Sequence, residues 1–239
     1  MELDGVALRE RLREARLYLL FTPSACAGRE PLAVLEAALP HVDLLQVRHK
    51  HPDHKLDPTR PAQGLEATTS ARELSEWTVR VLDLLQAYPS LGVPVIVNDR
   101  ADVARALLEL GCAGVHLGQD DAPPRLVREL LGAGALVGLS THSPAQVAAA
   151  LDEPVDYLGF GPVHATATKG YQRGLGAEAA WIAAQASPLP VFPIGGITCG
   201  NAGELDDVGR AAVSSAILGA PDPERAAREL RALLIAAEP

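Results

Sequence analysis

The most constraining feature of this 239-residue chain is an alternation of short apolar segments with longer amphipathic or alanine- and leucine-rich segments. Eight apolar segments have strand-forming composition, at 16–21, 42–48, 94–99, 114–118, 135–141, 155–162, 190–196 and 210–217. Strands that alternate with helices indicate parallel βαβ units. Eight units in a chain of this length predict one domain over residues 1–239, a (β/α)8 TIM barrel, with an open doubly wound sheet as the alternative.

The helix-like segments lie between these strands, at 29–39, 71–88, 101–110, 123–131, 144–151, 177–186, 201–207 and 222–236. Ser143 followed by Pro144 has the pattern of an N-cap and a first helical residue. The segment His51–Ser70 interrupts the alternation, because it is polar, rich in proline and threonine, and too long for an ordinary connection. It predicts either a flap over the adjacent strand ends or a disordered surface insertion.

Composition limits the partners of the chain. The net charge of −9 argues against nucleic acid or an anionic membrane as a partner. The longest apolar runs are too short to cross a bilayer. Three scattered cysteines argue against a disulfide framework and predict a cytoplasmic location. A homodimer is retained as one alternative for the oligomeric state, because dimers are the commonest assemblies of identical chains.

Polar and charged residues gather at the carboxyl ends of the predicted strands. They are Gln46, Arg48 and Lys50 (second strand), Asn98 and Asp99 (third), Asp121 (fourth), Ser140 (fifth), Thr166, Thr168 and Lys169 (sixth), Gly196 (seventh), and Ser214 and Ser215 (eighth). In a barrel these ends converge on one rim, where active sites lie. We expect the opposite rim to be nearly free of such groups, so folding alone would not explain the pattern.

Three cations predict an anion site at this rim. Arg48 and Lys50 by themselves are also typical of a solvated loop. Together with Lys169 and the hydroxyl groups of Ser140 and the nearby threonines, they favour phosphate binding, because guanidinium binds phosphate oxygens bidentately and ammonium acts as a point charge.

Two carboxylates predict a magnesium site. Asp99 and Asp121 supply the oxygen ligands that Mg²⁺ prefers, and the ion completes its shell with waters and substrate phosphates. The alternatives are an Asn-Asp turn for Asp99 and a helix N-cap for Asp121. The scattered cysteines and histidines form no zinc ligand set beside them.

A second anion-binding region is predicted after the seventh and eighth strands. Gly195 and Gly196 allow backbone N–H groups to approach an anion, although a glycine pair alone also fits a tight turn. Barrels often bind phosphate after these two strands, and Ser214 and Ser215 lie there. The site therefore suits two phosphorylated small molecules, or one ligand with phosphates at both ends. His116 is expected to be a core residue with satisfied hydrogen bonds.

Seven motifs occur in an order that resembles the thiamine phosphate synthase family. They are LLQVRHK, VNDRADVA, GVHLGQDD, VGLSTHS, GFGPVHATATKG, PIGGI and AVSSAI. The resemblance covers most of 17–234 and implies a (β/α)8 barrel. It also implies a transferase that joins a hydroxymethylpyrimidine diphosphate to a thiazole phosphate, giving thiamine phosphate and pyrophosphate.

The resemblance implies a role for each matching residue. Arg48, Lys50, Lys169 and Ser140 would be catalytic; Gln46, Arg48, Lys50, Asn98, Ser140 and Lys169 would hold the pyrimidine diphosphate; Thr166, Thr168, Gly196, Ser214 and Ser215 would hold the thiazole phosphate; Asp99 and Asp121 would bind Mg²⁺. Two alternatives are a thiazole tautomerase-like protein, which shares the thiazole-phosphate region, and a non-catalytic sensor of phosphorylated ligands. Where the family usually has an aromatic residue and proline before T-x-T-K, this chain has His164 and Ala165.

Overall fold

The computed structural model describes residues 4–49, 70–165 and 174–235. The strands are β1 (Leu17–Phe21), β2 (Leu44–Val47), β3 (Val95–Asn98), β4 (Cys112–Leu117), β5 (Leu136–Thr141), β6 (Tyr157–Phe160), β7 (Val191–Pro193) and β8 (Ala211–Val213). The helices are α1 (Gly5–Glu14), α2 (Pro31–Ala38), α3 (Ala71–Gln86), α4 (Ala101–Leu107), α5 (Pro124–Leu131), α6 (Pro144–Ala150), α7 (Ala177–Gln185), α8 (Ser215–Leu218) and α9 (Pro223–Ile235). Short 3-10 turns occupy Pro23–Ala25, Leu39–His41, Leu108–Leu110 and Ala202–Leu205.

The strands form one parallel sheet in the order β7-β6-β5-β4-β3-β2-β1-β8. A parallel bridge between Ile194, directly after β7, and Ala212 of β8 joins the two edges. An open doubly wound sheet would keep its edges apart, so the predicted (β/α)8 barrel is confirmed. Parallel pairing places the carboxyl ends of the strands at one rim.

Alternation along the strands separates two apolar layers. One layer lies between the strands and the outer helices and includes Leu19 and Leu45. The other fills the barrel and includes Tyr18, Tyr157 and Phe192. Leu12 of α1 belongs to the interior layer, so α1 covers the amino-terminal end of the barrel. Because side chains alternate faces along a strand, polar residues in phase with Tyr18 point into the barrel.

Some predicted boundaries differ from the observed ones. The eighth predicted strand, 210–217, ends at Val213, and Ser214 O accepts from Ile217 N and Leu218 N to start α8. A short apolar run does not distinguish a buried strand from a buried helical turn. The predicted helix at 201–207 is a four-residue 3-10 turn.

Two further predictions concern a helix N-cap and the segment between β2 and α3. The N-cap at Ser143 is confirmed, because its Oγ accepts from Gln146 N at 3.2 Å. The predicted flap at His51–Ser70 lies outside the described residues except for Ser70, whose side chain accepts from Glu73 N at the start of α3.

The amino-terminal rim holds charged residues, contrary to the expectation from sequence. The Asp156 carboxylate precedes β6 and lies 2.7 Å from both Arg9 Nε and Arg128 Nη2. It also accepts from Val137 N at 2.7 Å. Asp43, before β2, similarly accepts from backbone N–H groups at the start of β1. The charges of this rim tie helices and strand starts together, which is a structural role.

Two expectations about the whole chain can be compared with the structure. Its three cysteines, Cys26, Cys112 and Cys199, are free thiols. Across the ranges that the structure describes, every helix is too short or too polar to cross a bilayer.

The substitution Asp156→Ala is expected to lower the free energy of unfolding by about 2–3 kcal/mol, because it leaves Arg128 and Val137 N without their shared acceptor. Urea denaturation measures the change. Asp152→Ala removes an exposed aspartate from the loop that precedes β6 and serves as the control, with a change within about 0.5 kcal/mol. Equal stability of the two variants would contradict the structural role of Asp156.

Candidate active site

A cavity of about 250 Å³ lies at the carboxyl ends of the strands. Its lining is formed by Leu20, Thr22, Arg48, Ser140, Thr141, His142, Gly159, Gly161, Pro162, Ile194, Gly195, Gly196, Ile197, Thr198, Ala212, Val213, Ser214, Ser215 and Ala216. The cavity therefore receives residues from the ends of β1, β2, β5, β6, β7 and β8, at the rim where the sequence predicts the active site.

The structure brings five of the predicted site residues to this cavity: Arg48, Ser140, Gly196, Ser214 and Ser215. Four others, Gln46, Asn98, Asp99 and Asp121, are described but lie outside its lining. The remaining four, Lys50, Thr166, Thr168 and Lys169, lie outside the described residues.

Arg48 is a buried cation at the cavity. It directly follows β2, its N–H donates to Phe21 O at 2.9 Å, and only 8% of the residue is exposed. Burial lowers the pKa of Arg48, and the negative charge of Asp99 opposes that shift. A guanidinium remains protonated under such conditions. A buried cation is unfavourable unless negative charge compensates it, so this position is suited to an anionic ligand.

Two amides on β2 and β3 have polar atoms that the surrounding residues leave unsatisfied. Gln46 is 1% exposed and its Oε1 has no hydrogen-bond partner among the described residues. Asn98, at the end of β3, is 6% exposed, and its Nδ2 also has no hydrogen-bond partner among the described residues. Buried polar atoms are normally hydrogen-bonded, so these two atoms lack a partner that such atoms usually have.

The carboxylates of Asp99 and Asp121 follow the neighbouring strands β3 and β4. Asp99 has a φ of +62°, a region that aspartate adopts more readily than most residues, and its N–H donates to His116 O at 2.8 Å. Asp121 Oδ2 accepts from Gly118 N at 2.6 Å, which holds the carboxylate in the loop after β4.

This donor set fits Mg²⁺. Within the residues described, no group of three or more histidine, cysteine, aspartate or glutamate side chains is placed to hold a metal. Mg²⁺ is commonly bound by one or two carboxylates, with waters and substrate phosphates completing its shell. The oxygens of Asp99 and Asp121 are of the type that Mg²⁺ binds, and two carboxylates are fewer than the four protein ligands of a structural zinc site.

Backbone groups dominate the other side of the cavity. Gly196 has a φ of +66°, and a Cβ there would lie 2.5 Å from Ala165 O, so the turn after β7 requires glycine. Ser214 Oγ donates to Leu20 O at 2.8 Å, which engages its hydroxyl hydrogen. Ser215 begins α8, and the first N–H groups of a helix lack intrahelical acceptors. These N–H groups make this side suitable for an anion.

A chain of side-chain hydrogen bonds crosses the barrel interior beneath the cavity. Gln46 Nε2 lies 2.5 Å from Tyr18 Oη, and Tyr18 Oη lies 2.9 Å from Tyr157 Oη. His116 Nδ1 lies 3.1 Å from Tyr157 Oη, and its Nε2 lies 3.0 Å from Ser140 Oγ. The expectation that His116 is a buried, hydrogen-bonded residue is confirmed, and the chain connects it to the cavity through Ser140.

Some cavity residues were missed by the sequence reasoning. Thr22 lines the cavity and is 8% exposed, yet no residue after β1 was assigned. Its position directly after the apolar run LYLLF is the same signal that identified the other rim residues. Thr198, after β7, also lines the cavity.

Comparison with known proteins identifies the family. Residues 17–217 match the family described as thiamine monophosphate synthase. The chain belongs to this family. Thiamine-phosphate synthase from Thermus thermophilus is 41% identical over 221 residues, covering 90% of this chain and 95% of that protein.

Other relatives differ in length. Thiamine-phosphate synthase from Synechococcus sp. (strain WH7803) is 39% identical over 230 residues, which cover 95% of this chain and 59% of that protein. The chain thus spans less than two thirds of the length of this cyanobacterial relative. The solved structure of thiamine phosphate pyrophosphorylase from Pyrococcus furiosus has a TM-score of 0.74 and 27% identity, covering 97% of this chain and 100% of that one.

The substitution Arg48→Met is expected to leave the free energy of unfolding unchanged or to raise it by up to about 2 kcal/mol, because it replaces a buried charge by an apolar group. Urea denaturation measures the change. Arg105→Met removes an exposed arginine of α4 and should change stability by less than about 0.5 kcal/mol. A marked loss of stability in Arg48→Met would show that Arg48 is needed for the fold.

Proposed function

We propose that the chain joins 4-amino-2-methyl-5-hydroxymethylpyrimidine diphosphate to a thiazole phosphate, releasing pyrophosphate and forming thiamine phosphate. One observation carries the proposal: the buried cation Arg48 faces the same cavity as the Gly196 turn and the start of α8. Two regions suited to anions, on different strands, then face one cavity, which supports binding of two phosphorylated substrates. Membership of the thiamine monophosphate synthase family supports this assignment.

The pyrimidine diphosphate is assigned to the Arg48 side. Departure of pyrophosphate increases the negative charge on the leaving group, and fixed cations stabilise that charge more in the transition state than in the bound substrate. Arg48 would supply one such cation, with Lys50 and Lys169 as proposed partners from outside the described residues. The buried amides of Gln46 and Asn98 and the hydroxyl of Ser140 would hold the same substrate.

Asp99 and Asp121 would hold Mg²⁺ at the ends of β3 and β4. When bound there, Mg²⁺ would supply further positive charge for the leaving diphosphate. Burial lowers the pKa of Arg48, and the negative charge of Asp99 opposes that shift and offsets part of the cost of burying the cation.

The thiazole phosphate is assigned to the other side. Barrels often bind phosphate after their seventh and eighth strands with a short extra helix, and α8 is such a helix. The N–H groups of Gly196 and Ser215 would bind the phosphate oxygens, with the side chains of Thr166, Thr168 and Ser215 as additional donors. The Ser214 hydroxyl donates to Leu20 O of β1, so Ser214 would bind the phosphate mainly through its backbone.

The proposed chemistry is a dissociative substitution. The electron-rich pyrimidine supports a carbocation once pyrophosphate leaves, and the thiazole nitrogen then adds to it. No protein nucleophile is required, and the protein would bind, orient and exclude water from the two substrates.

The decisive experiment measures pyrophosphate release from the purified protein with both substrates, with either one alone, and with or without Mg²⁺. Release that requires both substrates and the metal supports the proposal. Binding of thiazole phosphate without release would instead favour a tautomerase-like protein or a sensor, since both keep that part of the site. A tautomerase assay then distinguishes these two.

In the same assay, Arg48→Met is expected to lower turnover by about 100- to 1000-fold, because the leaving group loses a fixed, desolvated cation. Arg105→Met is the matched control and should retain wild-type turnover. If Arg48→Met turns over at the wild-type rate, Arg48 has no role at the leaving group.

The pair Asp121→Asn and Asp120→Asn tests the magnesium site. Asparagine at 121 can still accept from Gly118 N but lacks the charge, so the Mg²⁺ concentration for half-maximal turnover should rise by at least about tenfold. Asp120 is exposed and adjacent, and its substitution should leave the Mg²⁺ dependence unchanged. Identical titration curves for the two variants would contradict the assignment of Asp121.

A further inference from the structure

The hydrogen-bonded chain inside the barrel joins two residues of the proposed pyrimidine site. It runs from Gln46 on β2 through Tyr18 on β1, Tyr157 on β6 and His116 on β4 to Ser140 on β5. Gln46, Tyr18, Tyr157 and His116 are each at most 8% exposed, and Ser140 lines the cavity. Ligand-binding side chains at both ends are therefore coupled through three buried side chains.

With the Gln46 amide oriented as in the structure, the chemistry of the first three groups sets the direction of these hydrogen bonds. Gln46 Nε2 can only donate, so Tyr18 Oη accepts from it. Burial raises the pKa of Tyr18 and Tyr157 far above neutrality, so both phenols keep their hydrogen. The Tyr18 hydroxyl then donates to Tyr157 Oη, and the Tyr157 hydroxyl donates to His116 Nδ1.

The direction continues through the imidazole to the cavity. Because His116 Nδ1 accepts, the neutral ring carries its hydrogen on Nε2. Nε2 therefore donates to Ser140 Oγ across 3.0 Å. The Ser140 oxygen already accepts a hydrogen bond, and its own hydrogen is left to donate to a ligand in the cavity. At the opposite end, Gln46 Oε1 remains as an acceptor.

We propose that Tyr18, Tyr157 and His116 are positioning residues that set Ser140 as a hydrogen-bond donor and Gln46 as an acceptor toward the substrate. The aminopyrimidine of the proposed substrate offers ring nitrogens that accept and an amino group that donates, which these two side chains would bind. The direction of the chain follows from the orientation of the Gln46 amide, whereas the identity of this ligand rests on the proposed function.

Glycines on the adjacent strands provide the space that the imidazole and phenol occupy. A Cβ at Gly138 of β5 would lie 2.5 Å from both His116 Nδ1 and Tyr157 Oη. A Cβ at Gly159 of β6 would lie 3.3 Å from His116 Cε1. Any side chain at Gly138 would displace the hydrogen bond between Tyr157 and His116, so this glycine is matched to the chain.

The first test reads the tautomer of His116 directly and requires no activity. Proton–nitrogen correlation spectra of the whole protein, labelled with ¹⁵N-histidine, distinguish a protonated from an unprotonated ring nitrogen. The His116 signal is assigned by its loss in His116→Gln. We expect the neutral ring with hydrogen on Nε2, and a ring protonated on Nδ1 would overturn the proposal.

The second test separates positioning from mere packing. In Tyr157→Phe, Nδ1 loses its donor and the ring is free to change tautomer, so KM for the pyrimidine diphosphate should rise by about tenfold. KM for the thiazole phosphate should be unchanged. Tyr88→Phe is the matched control, because the hydroxyl of Tyr88 donates to the exposed Glu36 and is not a member of the hydrogen-bonded chain.

Two substitutions of His116 are compared by their KM values for the two substrates. His116→Gln can still donate to Ser140 through its amide and should recover part of the affinity for the pyrimidine diphosphate that His116→Leu loses. An equal rise of both KM values, or no difference between His116→Gln and His116→Leu in folded protein, would overturn the positioning role. Wild-type protein without turnover would reject the proposed function and leave the tautomer measurement intact.

Discussion

Parallel pairing of the eight strands is the constraint on which the rest of the structure depends. It sends every carboxyl end to one rim, and the bridge between Ile194 and Ala212 brings β7 beside β8. Residues that are far apart in sequence, such as Arg48 and Ser214, thereby face one cavity. The two rims differ in the role of their polar residues. Ion pairs at the amino-terminal rim hold the helices, and polar groups at the carboxyl rim face a cavity.

The interior of the barrel shows how stability and ligand binding are combined. Most of its residues are apolar, but Gln46, Tyr18, Tyr157 and His116 form a continuous polar chain among them. Buried polar groups are tolerated when they are hydrogen-bonded, and the chain satisfies most of its members internally. The unsatisfied Gln46 Oε1 lies at one end of this chain, and Ser140, which lines the cavity, lies at the other end.

Much of the fold and part of the site were predictable from sequence. The number and order of strands followed from alternation of apolar and amphipathic segments, and the rim residues followed from their position after each strand. The boundary at Val213 was not predictable, because Ser214 ends β8 by starting a helical turn that the apolar run conceals. The expectation of a nearly uncharged amino-terminal rim was wrong. Asp156 and Asp43 lie at this rim and pair with arginines on helices, and such contacts between separate elements leave no local pattern in the sequence.

The sequence by itself determined the (β/α)8 class, the family motifs and the residue types available at each strand end, because these depend on local composition and spacing. Only the tertiary structure decided which of them share a cavity and how they are coupled. Arg48 is buried where β1 packs beside β2, and His116 is part of a continuous chain of hydrogen bonds because Tyr157 and Ser140 lie on other strands. Such contacts join residues distant in sequence, and no local pattern specifies their geometry.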